Sequence, residues 1–134
     1  MTSSTISRAV VAAVIGFAWT GAMPAWAGIE DYEFQLLQPE IRQNESAEIA
    51  VRLVDKRSGK PVPGAVIFAS RLDMAPDGME TMKAPIEPVA SAEAGIYLFK
   101  ARLGMEGGWR LSLAAKLQGE TGTLQTRLIF RAVP

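Results

Sequence analysis

"WRLSLAAKL", residues Trp109–Leu117, is the stretch from which the fold class follows. Trp109, Leu111, Leu113, Ala115 and Leu117 occupy every second position, with Arg110, Ser112 and Lys116 between them. A helix would scatter these apolar residues around its circumference, whereas a strand sends alternate side chains to opposite faces. The segment reads as a strand with one buried face.

The same period recurs on both sides. "TLQTRLIFR" (123–131) alternates Leu124, Leu128 and Phe130 with polar residues, and "EIAVRLVD" (48–55) does so with Ile49, Val51 and Leu53. "AVIFASRL" (65–72) and "GIYLFKARL" (95–103) are β-branched and aromatic runs of strand length. "YEFQLL" (32–37) suits a first strand, and "APIEPVA" (84–90) a short edge strand marked by proline. Between them lie "DKRSGKPVPG", "SAEAG", "GMEGG" and "QGETG", rich in glycine, proline and small polar residues that favour turns. No amphipathic helical pattern and no internal repeat interrupts the series. The prediction is an all-β fold: a single immunoglobulin-like antiparallel β-sandwich of about seven strands. The strands fall near 32–37, 46–54, 65–72, 85–90, 95–102, 109–117 and 122–131. The expected core is Ile49, Val51, Phe68, Phe99, Trp109, Leu111, Leu113 and Phe130.

The N-terminal segment follows a different logic. Residues 1–27 carry one basic residue, Arg8, then an apolar run from Ala9 to Trp19, and end in Ala25-Trp26-Ala27. That is the pattern of a secretory signal peptide cleaved after Ala27, leaving a domain of residues 28–134. The run is shorter than the roughly 20 apolar residues of a membrane span. The expected location is periplasmic or secreted, with an uncleaved N-terminal membrane anchor as the alternative. No transmembrane span is expected after cleavage.

Composition narrows the chemistry. The chain has 14 basic and 14 acidic residues, and losing Arg8 leaves 13 against 14. No basic stripe is present, so no nucleic-acid partner is expected. There is no cysteine and no histidine. Disulfides, Cys/His zinc sites, blue-copper sites, cysteine nucleophiles and Ser-His-Asp triads are therefore all excluded. Asp73, Asp77 and Glu80 cluster, but carboxylates beside a turn usually cap it and face solvent, and Arg110 reads as a solvent-facing strand residue. The expectation is a protein that is not an enzyme.

The soft side chains left are methionines. "DMAPDGMETM" (73–82) holds Met74, Met79 and Met82, and Met105 follows in "GMEGG". In a sandwich whose successive strands alternate in direction, the connection after 65–72 and the one before 109–117 lie at the same end. All four methionines would then gather there. Thioethers suit Cu(I) and Ag(I). Their ordinary use, however, is to fill gaps in cores and adaptable surfaces.

These residues also carry a resemblance. Gly59, Pro61, Val62, Gly64 and Ala65 match a G-x-P-V-x-G-A turn. Gly95 and Tyr97 match G-x-Y, and Met105, Gly107 and Trp109 match M-x-G-x-W, with a methionine-bearing stretch between. From about Ser46 to Arg131 the sequence resembles the periplasmic YtkA-like/FixH-like β-sandwich family. Such domains occur alone, beside metal-efflux components and in proteins linked to copper-oxidase assembly. The resemblance implies copper or heavy-metal handling, with a periplasmic or membrane-bound metal-transport or oxidase-assembly protein as partner. Members often place a histidine near the methionine stretch, and this chain has none.

Two readings follow. In the first, Met74, Met79, Met82 and Met105 ligate Cu(I) or Ag(I) for handling or delivery, with no other cofactor. In the second, the domain is a metal-free interaction module that docks onto a membrane complex.

Overall fold

Residues 28–134 are described by a computed structural model, and the expected leader lies outside the described residues. Among them the strands are β1 (Tyr32–Leu36), β2 (Glu40–Arg42), β3 (Asn44–Asp55), β4 (Val66–Met74), β5 (Met79–Ala84), β6 (Ile86–Val89), β7 (Ile96–Leu103), β8 (Gly107–Lys116) and β9 (Leu124–Val133). They form two sheets, one in the order β1-β3-β7-β6 and one in the order β2-β9-β8-β4-β5. The sheets enclose one core, with Ile49, Val51, Leu53 and Phe99 from the first and Leu72, Trp109, Leu111 and Phe130 from the second. The β-sandwich expected from the alternation is the fold observed.

β8 is the centre of the five-stranded sheet. Its burial alternates from Trp109 to Leu117 as the sequence requires, with Leu111 and Ala115 wholly buried. It pairs antiparallel with β9 over its full length and with β4 on its other side. Opposite residues on one face therefore form rows across three strands, such as Arg71–Ser112–Arg127 and Asp73–Arg110–Ile129. These rows belong to the outer face.

Three details depart from expectation. First, β2 and β5 add to the seven expected strands. β2 is a three-residue element after Pro39 that runs parallel to β9, so one ladder of the sandwich is not antiparallel. β5 pairs with β4, then the chain passes Pro85 and becomes β6, which pairs with β7 in the other sheet. Second, β4 therefore runs on to Met74, and a tight turn joins it to β5. The strand parity survives, because β5 and β6 together do the work of one strand.

Third, Phe68 is not in the core. It is 55% exposed, because a bulge between Ile67 and Ala69 inserts an extra residue into β4 and reverses the phase of the strand. The remaining expected core residues, Ile49, Val51, Phe99, Trp109, Leu111, Leu113 and Phe130, are all buried.

The contrast between Phe68 and Leu111 is measurable. Leu111→Ala should cost about 2–5 kcal/mol of unfolding free energy through lost burial and a residual cavity. Phe68→Ala should stay within about 1 kcal/mol, as for other exposed positions. Chemical denaturation of the two variants checks both values.

Candidate functional site

The end of β4 and the start of β8 build a compact polar and methionine-bearing corner. After Met74 the chain makes a short 3-10 turn, Ala75–Asp77, and Gly78 takes the left-handed conformation (φ 77°) before Met79 opens β5. Two carboxylates fix this turn. Asp73 Oδ1 accepts the Ala75 amide at 2.9 Å, and Asp77 Oδ2 accepts the Gly108 amide at 3.1 Å. Asp73 Oδ2 also accepts from Arg71 Nε at 3.0 Å and Arg110 Nη2 at 3.1 Å.

Asp73 is wholly buried, and it is the one buried charged residue among those described. The expectation that these carboxylates face solvent holds for Asp77 and Glu80, which are exposed, and fails for Asp73, which caps the turn from a buried position. Arg110, expected to face solvent, has a side chain only 23% exposed and is bonded to Asp73. Burial pushes the Asp73 carboxyl up. The Ala75 amide and the Arg110 and Arg71 guanidiniums outweigh that effect and hold it below the usual carboxylate range. Arg71 Nη2 further donates to the Glu80 carbonyl at 3.2 Å, so one charge cluster ties β4, β8 and β5 together.

The turn rests on the two glycines that open β8. A Cβ on Gly107 would collide with the Asp77 carboxylate and come within 3.0 Å of the Met74 methyl, and one on Gly108 would meet Pro76 Cβ at 2.8 Å. Gly107 also has φ 135°, which L side chains rarely adopt. Trp109, next in the chain, is buried with its ring in the core, and its Nε1 donates to the Met105 carbonyl at 3.1 Å. Its role is packing plus anchoring of the β7–β8 connection.

The methionines do share this end, as strand parity requires, but their environments differ. Met74 is wholly buried in the core. Met79 lies opposite it in the β4–β5 ladder and packs against the core while partly open. Met82 and Met105 are 40% and 41% exposed. The β4–β5 ladder skips from Asp73–Lys83 to Met74–Met79, leaving residues 80–82 unopposed by β4. On the other side, the Pro85 carbonyl accepts the Arg102 amide, extending the β6–β7 register past Ile86–Ala101. Among the described residues no group of three or more carboxylates is placed to hold a metal ion.

A second lock lies elsewhere in the sandwich. The Tyr97 hydroxyl donates to the Val62 carbonyl at 2.9 Å and accepts the Ala65 amide at 3.0 Å. Gly95, at φ 83°, lies so close to Pro61 that a Cβ there would collide with the proline ring. The turn at 59–65 and the G-x-Y pair thus hold each other.

The YtkA-like family model matches residues 27–114, from the residue before the described domain nearly to the end of β8. The chain belongs to the YtkA-like family. Among solved structures, this YtkA-like chain is similar to a DUF4426 family protein from Pseudomonas aeruginosa PAO1. That pair is 13% identical with a TM-score of 0.49, over 77% of this chain and 89% of that one. It is also similar to the ZirS C-terminal domain, at 12% identity and a TM-score of 0.47, over 100% of this chain and 87% of that one. The search of curated proteins found no match.

The lowered Asp73 value fixes the sign of a pH effect. In the folded YtkA-like domain this carboxyl binds its proton less readily than in the unfolded chain, so unfolding is favoured as protons are added. The stability it contributes is present above the ordinary carboxylate range, near pH 4, and is lost as pH falls through its folded value. Asp73→Asn should flatten this acid limb and lower stability at neutral pH by about 2–4 kcal/mol, since it leaves Arg110 without its counter-charge. Denaturation midpoints followed from pH 7 into the acid range check both effects.

Proposed function

We propose that this YtkA-like domain is an exported binding protein, not an enzyme, that takes a soft monovalent ion, Cu(I) or Ag(I), at its methionine end. The observation that supports this best is the gathering of Met79, Met82 and Met105 at one end with two of the three well exposed. The core has no use for exposed thioethers, and in a chain without cysteine or histidine they are the softest donors present. Met74 lies beneath them with its side chain committed to the core. The donor set suits a soft ion and would not hold a hard one.

What the chain's own residues contribute is placement. The 75–77 turn, held by Asp73 and Asp77, fixes the start of β5 against β8. The Trp109 bond to the Met105 carbonyl fixes the other connection. Flexible methionine side chains on fixed backbones can close on an ion and open again. That suits delivery to a periplasmic or membrane-bound metal-transport or oxidase-assembly partner, which the family resemblance suggests. No helix among the described residues is long and apolar enough to cross a membrane. The expected leader would bring the domain to the periplasm.

Met→Leu substitution removes sulfur while keeping volume, and usually costs less than about 1.5 kcal/mol. A variant with leucine at 79, 82 and 105 should lose Cu(I) binding in competition with a chromogenic chelator while its melting temperature stays close to that of the parent. Met74→Leu should keep binding. Equal Cu(I) affinity in parent and triple variant would overturn the metal reading and leave the exposed methionines as a docking surface.

A further inference from the structure

The outer face of the five-stranded sheet carries a second feature, which does not involve the methionine side chains. Where most exposed sheet faces present long polar side chains, the middle of this one is floored by Ala69, Ser112 and Ala114. Arg71, Arg110 and Arg127 rise around that floor and enclose an open trough of about 870 Å³ across β4, β8 and β9. The register explains the grouping. Arg71, Ser112 and Arg127 stand in one row and Arg110 in the next, so small residues in the middle strand leave room between guanidiniums on either side.

Charge in the trough is not balanced. Arg71 and Arg110 share one oxygen of one carboxylate, Asp73. Asp73 lies beneath the lining, and Glu80, the one acidic residue of the lining itself, has only its backbone carbonyl bonded to Arg71. Among the described residues Arg127 has no ion-pair partner within range. Arg110 Nε is buried and unpartnered, and buried polar groups normally find an acceptor. Three guanidiniums against two carboxylates leave a surface that favours an incoming anion.

Ala69 and Ala114 add apolar surface to the lining, and two large apolar side chains stand exposed on the sheet nearby. Phe68 projects at the bulge beside Ala69, and Ile129 faces outward beside Arg110, each more than half exposed. Arginine and aromatic residues around a partly apolar patch are the composition of protein-contact surfaces. A small metabolite, by contrast, is usually enclosed over most of its area. This trough is open along one side.

We infer that the outer face of the β2-β9-β8-β4-β5 sheet docks an extended acidic segment of a partner protein. Its carboxylates would sit over Arg71, Arg110 and Arg127, and its apolar side chains against the small-residue floor and Phe68. Asp73 braces both regions, but docking on this face does not require metal at the methionine end, so either proposal can fail without the other.

The test uses a fluorescein-labelled peptide that alternates glutamate with leucine, titrated into the purified protein and read by anisotropy. Binding should weaken steeply with added salt, and Arg127→Glu should weaken it by about tenfold or more, as reversal at a buried charge contact does. Arg131→Glu, on the same face of β9 but outside the trough, should leave it unchanged. Ala114→Phe, which fills the floor without altering charge, should weaken it as Arg127→Glu does. Silver or copper binding by the Arg127→Glu protein should match the parent. Absence of binding at low salt, or equal affinity in the parent, Arg127→Glu and Ala114→Phe proteins, would overturn the inference. So would binding of inorganic phosphate as tight as that of the peptide, which would make the trough a small-anion site.

Discussion

The buried carboxylate of Asp73 is the constraint on which both proposed surfaces depend. A lone ionised carboxylate inside a protein is strongly disfavoured unless bonded and paired. Here one carboxylate meets an amide of the turn and two guanidiniums. On one side it fixes the Ala75–Asp77 turn, and with it the start of β5 and the approach of Met79 to Met74. On the other it holds Arg71 and Arg110 at the rim of the arginine trough. The same charge cluster thus sets the backbone of the methionine end and the posture of the cationic face.

The sequence elements that mark the family have structural explanations in this chain. The turn around Pro61–Ala65 and the Gly95–Tyr97 pair close on each other through one phenol and one glycine contact. The M-x-G-x-W element works similarly. Its glycine admits the Asp77 carboxylate, its tryptophan fills the core and bonds the Met105 carbonyl, and its methionine is left exposed. Of these residues only Met105 has a side chain that the fold itself does not use. A family signature made mostly of packing requirements says more about architecture than about ligand, which is why Met105 and the exposed Met82 matter to the functional reading.

Most of the architecture was legible because period two is a direct consequence of pleating. β3, β8 and β9 show it cleanly and supply most of the core. Phe68 was misplaced because a bulge adds one residue to β4 and leaves no mark in the composition of the strand. β2 escaped notice because three residues carry no period, and β5 because "METMKA" is mostly polar and draws its order from β4 rather than from its own apolar pattern. Gathering of the methionines at one end followed from strand parity alone. The cluster of Arg71, Asp73 and Arg110 did not, because alternation assigns all three to the solvent side. The partner on β8 lies 37 residues away from Asp73 and is reached only through the register.

If Asp73 organises this corner, its loss should be felt at amides that it does not touch. The Ala75 amide bonds Asp73 directly, whereas the Gly108 amide bonds Asp77 and senses Asp73 only through the turn. Native-state hydrogen exchange of these two amides in the parent and in Asp73→Asn is the direct measurement. Both should be protected in the parent, and both should exchange much faster in the variant while amides in the centre of β3 keep the protection set by global stability. Fast exchange at Ala75 with unchanged protection at Gly108 would contradict the account, because the turn would then be held without the buried carboxylate.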